Sequence, residues 1–156
     1  MSVEKPSDVV ALFHSMLEAY QISLRDILGS GKAVFVHPVL ENFMKINEAT
    51  GVHMVKGQSL DVALQNLSKT IKATGYVKDF RFEKLSAQKY LIHVDGCIWA
   101  PEVHKNLNPK DLTCSYALIG MAIIQAYSGS NAKCTHSEYL KKGTKTIIEI
   151  TKPKKT

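Results

Sequence analysis

Three cysteines and a nearby histidine are the residues of this sequence that could hold a metal ion. The cysteines are Cys97, Cys114 and Cys134, and His136 follows the last of them at a spacing of two. On a β-strand this spacing would place Cys134, His136 and Glu138 on one face. Thiolates and imidazoles are zinc ligands, and a closed zinc site needs four of them. The residues therefore permit a zinc site, although the spacing is not that of a zinc finger and a buried cysteine often serves only as a small apolar residue.

Cys114 also has the residue type and position of a catalytic nucleophile. It falls in the first turns of a predicted helix, where the positive end of the helix dipole can lower a thiol pKa and favour the thiolate. His104 or His136 would then be the general base, and either could instead complete the zinc ligands. The same position fits an inert buried thiol. The sequence contains no P-loop and no GxGxxG, HExxH or GxSxG pattern, which argues against nucleotide-driven chemistry.

Aromatic and small residues around the same segment are candidates for contact with an apolar ligand. Trp99 and Tyr116 are large and amphipathic, and Gly120 lies between Ala117 and Ala122 on the same predicted helix. Small residues on a helix permit close packing against a sheet, and they can equally leave space for a cavity. We therefore expect Trp99, Tyr116 and Gly120 either to pack in the core or to line a ligand site.

Hydrophobic periodicity predicts the elements that position these residues, in the order αααββαββ. Helical spacing and start or stop signals define three N-terminal helices, and a period of two defines two pairs of strands. The predicted helices cover residues 6–29, 34–50, 59–74 and 109–127, and the predicted strands cover 76–84, 88–94, 132–139 and 144–151. This order predicts the α+β class with a four-stranded antiparallel sheet.

The predicted helix 109–127 has the clearest start signals in the chain. Asn108 is a good N-cap, Pro109 suits the first helical position and Asp111 complements the helix dipole. The helix is apolar on nearly every side, so we expect it to be central and buried. The chain length of 156 residues fits a single domain over residues 1–156, and 152–156 form a basic tail.

The charge distribution argues against a dedicated nucleic-acid surface. The net charge is +6, but residues 141–156 hold six lysines and one glutamate, so the body is almost neutral. The chain has only two arginines, whereas phosphate and base recognition favour the arginine fork. No apolar run approaches the ~20 residues of a membrane span, and the first residues lack the apolar segment of a secretory signal. We expect a cytoplasmic protein with reduced thiols.

Four stretches of the C-terminal half resemble a known family. They are residues 97–100 (CIWA), 112–122 (LTCSYALIGMA), 132–136 (AKCTH) and 142–150 (KGTKTIIEI). The chain resembles the 4-vinyl reductase (hydrocarbon-binding) domains, which share their architecture with subunits of the transport-protein-particle vesicle-tethering complex. The resemblance covers residues 90–151 by motif and the whole chain by element order.

This resemblance implies a module that binds a small hydrophobic ligand, is often dimeric and in some members holds zinc through cysteines. Cys114 and Cys134 match family cysteines, but Asn131 replaces a family glutamate and the family's last cysteine has no counterpart at 144–146. A homodimer is also expected because the N-terminal helices carry wide apolar stripes. The enzyme alternative comes from a similarity to aminothiazoline-carboxylate hydrolases, in which a cysteine of the Cys114 type would be catalytic.

Overall fold

The computed structural model describes residues 57–106 and 114–151, together with isolated positions between 16 and 49. The elements within the two long ranges are α1 (Leu60–Ala73), β1 (Asp79–Ser86), β2 (Lys89–Asp95), α2 (Ala100–Val103) with a 3-10 turn at His104–Asn106, α3 (Ser115–Ser128), β3 (Asn131–Leu140) and β4 (Gly143–Thr151). The first two predicted helices, 6–29 and 34–50, and the tail 152–156 lie mainly or wholly outside the described residues.

The four strands form one antiparallel sheet with the order β1-β2-β4-β3. β4 lies between β2 and β3 because the chain crosses over the sheet through α3 before the second hairpin begins. The register places Lys89 opposite Glu149 and Asp95 opposite Gly143, so the whole of β2 pairs with residues 143–149 of β4. The predicted α+β class and antiparallel sheet are confirmed, with each strand within a few residues of its predicted bounds.

α1 corresponds to the third predicted helix and has the predicted start. Ser59 is its N-cap, and the Ser59 hydroxyl accepts a hydrogen bond from the backbone N–H of Val62. Asp61 in the first turn and Lys72 in the last turn both complement the helix dipole. The apolar stripe of the helix is buried against the core at Ala63, Leu64, Leu67 and Ile71.

α3 is central and buried as predicted, but it begins later than the predicted residue 109. Cys114 is the N-cap and has non-helical backbone angles, φ −52° and ψ 132°, so the helix starts at Ser115. The extended backbone at Cys114 prevents one continuous helix from 109 to 127. The signals at Asn108, Pro109 and Asp111 lie outside the described residues. α3 ends where Gly129 adopts a φ of 61°, a left-handed conformation that favours glycine.

Gly120 brings α3 close to the sheet. A Cβ at this position would lie 2.8 Å from Phe82 Cε1 and 2.9 Å from Ile92 Cδ1, closer than atoms in a packed core approach. At the C-terminal end of α3, the Tyr127 hydroxyl accepts a hydrogen bond from the Gly57 N–H at 2.9 Å and donates one to the Gly57 carbonyl at 3.1 Å. These contacts fix the helix over the sheet and beside the start of the α1 segment.

The two faces of the sheet differ in character, as is common for antiparallel sheets. The face toward the helices carries fully buried side chains such as Phe80, Ile92 and Ile148. The other face presents charged side chains, among them a Glu83–His93 pair separated by 3.5 Å. Among the described residues, no helix is long and apolar enough to cross a membrane.

Candidate functional site

Two of the predicted zinc ligands, Cys97 and Cys114, lie near the end of the sheet where β2 ends and β4 begins. Gly96 turns the chain after β2 with a φ of 63°, and the Cys97 N–H then donates to the Lys142 carbonyl at 2.9 Å. Cys114 immediately precedes α3, and its thiol interacts electrostatically with that of Cys97. The two thiols are therefore near enough to interact, and neither cysteine is in a disulfide.

Burial, rather than the helix dipole, controls the ionisation of Cys114. Desolvation raises the pKa of the Cys114 thiol to about 11. Hydrogen bonding from the Thr144 hydroxyl and from the backbone at Tyr116 and Ala117 favours the thiolate, and the nearby Cys97 disfavours it. The amides at the start of α3 act in the expected direction, but desolvation outweighs them. The expectation of a lowered pKa is therefore wrong, and Cys114 is a neutral thiol at neutral pH.

The Thr144 hydroxyl interacts with the Cys114 thiol. Thr144 is only 2% exposed, and its Oγ1 makes no hydrogen bond of good geometry with any described residue. Its interaction with Cys114 is therefore a loose one that lowers the pKa of the thiol without satisfying the hydroxyl. The arrangement is a buried pair of thiols beside a buried hydroxyl.

Cys134 lies away from the other two cysteines. It pairs with Ile148, which lies four residues beyond Thr144 on β4, so at ~3.4 Å per residue Cys134 is displaced from the level of Thr144 by about 14 Å along the strands. Its sulfur is 3.4 Å from the Ser137 hydroxyl, which in turn lies 3.4 Å from the Thr146 hydroxyl. Cys134 therefore belongs to a separate polar cluster between β3 and β4.

A β-bulge between Cys134 and His136 corrects the expectation that Cys134, His136 and Glu138 share one face. The bulge leaves Thr135 outside the pairing register, so Cys134 pairs with Ile148 and His136 pairs with Ile147. Because consecutive residues of β4 point to opposite faces, Cys134 faces the helices while the exposed His136 faces away. Glu138 stays on the same face as His136.

The predicted zinc ligands therefore do not fit a zinc site in the described part of the chain. Cys97 and Cys114 supply two of the four ligands that a closed site needs, while Cys134 and His136 lie elsewhere. In residues 57–106 and 114–151 and the isolated positions before them, no three cysteine, histidine or acidic side chains are grouped so as to hold a metal ion.

His104 is held by the end of β3. Its Nδ1 lies 2.8 Å from the Leu140 carbonyl, and since a carbonyl can only accept, Nδ1 carries the proton. The His104 ring also packs on the Tyr139 ring with centroids 4.6 Å apart. Burial lowers the pKa of His104, and the hydrogen bond to Leu140 partly offsets this. The histidine therefore ties the segment after β2 to the second hairpin.

The three candidate ligand-contact residues pack into the core. Trp99 lies against Tyr76 with ring centroids 4.7 Å apart, and the ring centroids of Tyr116 and Phe80 are 6.1 Å apart. Burial raises the pKa of Tyr116, and the neighbouring Cys97, Cys114 and Tyr76 add to the shift. The space beside Gly120 is filled by the sheet, so this glycine serves close packing rather than a cavity.

A groove between α1 and β1, with a volume of about 480 Å³, is the concave site that the sequence did not predict. We call it the α1–β1 groove. Its lining consists of Asp61, Leu64, Gln65, Ser68, Lys69 and Lys72 from α1, Phe80, Arg81, Phe82 and Lys84 from β1, and Tyr90 from β2. The helix residues recur at helical spacing beside the buried stripe, which is the one sequence signal that could have indicated them.

The rim of the α1–β1 groove is predominantly cationic. Beside the groove, the Asp79 carboxylate accepts a hydrogen bond from the Arg81 guanidinium at 2.6 Å and lies 3.8 Å from the Lys72 ammonium group. These two cations therefore share one carboxylate. Lys69 and Lys84 form no ion pair with any carboxylate of the described residues. Asp61 is the acidic member of the lining. The groove therefore combines an aromatic base with an excess of positive charge.

Comparison of the chain with family models, with curated proteins and with solved structures finds no match in any of the three.

Proposed function

We propose that this protein is a small-molecule-binding domain that holds a ligand with an apolar body in the α1–β1 groove. The observation that carries the proposal is a concave site of about 480 Å³ with aromatic side chains at its base and polar groups at its rim. Small-molecule sites in proteins have this size and this division between apolar base and few polar groups.

The base of the groove is formed by apolar side chains, some partly exposed and others buried. Phe82 is partly exposed, whereas Leu64, Phe80 and Tyr90 lie buried directly beneath and beside it. Phe80 and Phe82 form an edge-to-face pair with centroids 5.1 Å apart, which holds the Phe82 ring in place. The methylene stems of the rim lysines extend the apolar surface upward. A ligand of modest size could therefore lose much of its apolar surface to this site.

The resemblance to 4-vinyl reductase domains supports the same class of function. Its motifs imply a hydrophobic-ligand module, and the hairpin, helix and Cys134-bearing hairpin follow the order that the resemblance implies. Our proposal differs from the expectation in one respect. We place the ligand in the α1–β1 groove, while Tyr116 packs on Phe80 and Gly120 packs on Phe82 behind the groove, and Trp99 lies against Tyr76 instead.

The cysteine-hydrolase alternative has less support from the geometry. A nucleophilic cysteine needs an accessible thiolate and a base within hydrogen-bond reach. The pKa of Cys114 is about 11, so this thiol stays protonated near neutral pH. We therefore favour binding over catalysis.

A homodimer forms part of the proposal. Its support is the exposure of large apolar side chains at described helical positions before α1, with Tyr20 at 61%, Ile27 at 75% and Ile46 at 62%. Contiguous exposed apolar surface is typical of association sites.

The test of ligand binding uses N-phenyl-1-naphthylamine, a neutral aromatic dye that fluoresces in apolar surroundings. Ser68→Phe places a ring inside the α1–β1 groove, so we expect a loss of dye affinity of about tenfold or more, roughly the 1.4 kcal/mol of one decade. Thr70→Phe on the same helix is the matched control, because Thr70 is exposed and lies outside the lining. Equal dye binding by wild type and both variants would place the dye elsewhere and contradict the proposal, provided that circular dichroism shows all three folded.

A further inference from the structure

We infer that the α1–β1 groove selects amphiphiles with an acidic headgroup, which Lys69 and Lys84 bind while the apolar body lies on Phe82. This inference rests on the proposed function and names the chemical class of its ligand. It joins two features of one site, the aromatic base and the surplus of cations at the rim.

The charges of the rim show which sign of ligand the groove accepts. Four cationic side chains and the single carboxylate of Asp61 line it. Asp79 lies beside the rim and neutralises part of the charge of Lys72 and Arg81. Two cations of the lining, Lys69 and Lys84, are left without a carboxylate partner in the described part of the chain. An anion would supply this partner, whereas an ammonium group would be repelled.

The positions of the two lysines suit a headgroup above an apolar body. Lys69 is on α1 and Lys84 is on β1, so the unpaired cations stand on the opposite walls of the groove. Lys69 is next to Ser68, whose hydroxyl also lines the groove and can donate to an anion. Lys84 pairs in register with Tyr90, which lines the base. Both ammonium groups are flexible point charges, which fit a carboxylate or a phosphate monoester without a demand for fork geometry.

The local character of the charge favours a small acid over a polyanion. The cationic rim spans one helix and one edge strand, and the neighbouring Asp61 and Asp79 interrupt it. A nucleic acid would need a longer continuous basic surface for its regularly spaced phosphates. One acidic group and one apolar body match the content of this site.

The experiment measures displacement of N-phenyl-1-naphthylamine by ten-carbon competitors that differ only in the headgroup. We expect decanoate and decyl phosphate to displace the dye at lower concentration than 1-decanol, and decylamine to be the weakest. Lys69→Gln and Lys84→Gln should each weaken decanoate binding by about three- to fivefold, which is the range of a partly exposed ion pair. The double variant should weaken it by about tenfold. Affinity for the uncharged dye should change less than affinity for decanoate, because the dye loses only contact with the methylene stems of these lysines.

Two further variants make the result specific. Asp61→Asn removes the one carboxylate of the lining, so we expect it to strengthen decanoate binding about two- to fivefold. Lys133→Gln is the matched control, because Lys133 is exposed on β3 at the opposite edge of the sheet and should leave every competitor unchanged.

Each outcome separates the inference from the function on which it rests. Equal displacement by decanoate and decanol, or lysine variants that behave like Lys133→Gln, would overturn the acidic-headgroup inference while dye binding still supported the groove. Dye binding that Ser68→Phe does not weaken would overturn both. Stronger decanoate binding by Asp61→Asn together with weaker binding by the lysine variants would establish the inference.

Discussion

Cys114 shows how two local effects compete at one residue. The start of a helix favours a thiolate, and the backbone at Tyr116 and Ala117 does interact with this sulfur in that sense. Removal of the sulfur from water favours the neutral thiol more strongly, so the pKa rises to about 11. The sequence reveals the first effect because it depends on neighbours in the chain. The second depends on residues brought from β2 and β4, which the sequence does not place.

The raised pKa of Cys114 predicts a specific loss of stability in alkali. The thiol ionises near pH 9 in the unfolded chain and near pH 11 in the folded one, so stability is complete below pH 9 and falls as the pH rises through 11. Compared with Cys114→Ala, the wild type should lose up to about 2 kcal/mol of unfolding free energy between pH 8 and pH 11. Urea unfolding at several pH values measures this.

The comparison with Cys114→Ala is necessary because lysines and tyrosines also titrate in this range. Cys134→Ala is the matched control, since Cys134 lies in a different cluster, and its curve should keep the pH dependence of the wild type. Parallel curves for wild type and Cys114→Ala would mean that the thiol is not desolvated in solution.

At the scale of the elements, the hairpins and the end of α3 were predictable, and the start of α3 was not. The alternation of side chains and the turn at Lys141 and Lys142 are local signals, and they locate the β3–β4 hairpin to within a few residues. The extended backbone of Cys114 and the bulge at Thr135 carry no comparable signal. The α1–β1 groove was also missed, because it is space left between two elements rather than a property of either.

Gly120 is the residue on which the approach of α3 to the sheet depends. In Gly120→Ala the new methyl group would meet Phe82 and Ile92 at 2.8 and 2.9 Å. Helix propensity favours alanine by about 1 kcal/mol, but overpacking of a core costs about 1–3 kcal/mol. The Phe82 ring would have to shift, and this ring lines the α1–β1 groove. We therefore expect a net loss of about 1 kcal/mol in urea unfolding and weaker binding of the neutral dye.

Two comparisons separate packing from helix propensity at this site. Addition of Phe82→Leu to Gly120→Ala should recover stability, because the smaller side chain removes the contact. Ala126→Gly at an exposed position of the same helix should cost about 1 kcal/mol through propensity alone and leave dye binding intact. A Gly120→Ala variant more stable than the wild type would show that the helix does not pack this closely.

On the scale of the whole molecule, the two faces of the sheet have different roles in the fold. The helix-facing side buries Phe80, Ile92 and Ile148 completely and supports the groove at its β1 edge. The thiol pair occupies the end of the sheet where the segment after β2 meets the second hairpin, and His104 and Cys97 both hydrogen-bond to that hairpin. Ligand binding and the thiol pair are therefore properties of different regions, and variants in one should leave the other unchanged.

The exposed apolar residues before α1 predict that the protein associates with a second copy of itself. Tyr20 and Ile27 are described helical positions with large apolar side chains, and they are 61% and 75% exposed. Sedimentation at micromolar concentration should show a species of twice 17.3 kDa. Tyr20→Lys combined with Ile27→Lys should shift it to the monomer, because a symmetric interface contains each substitution twice.

Leu85→Lys, at an exposed position of β1, should leave the dimer intact. A wild type that sediments only at 17.3 kDa would contradict the association, and a dimer that persists in the double variant would assign it to another surface.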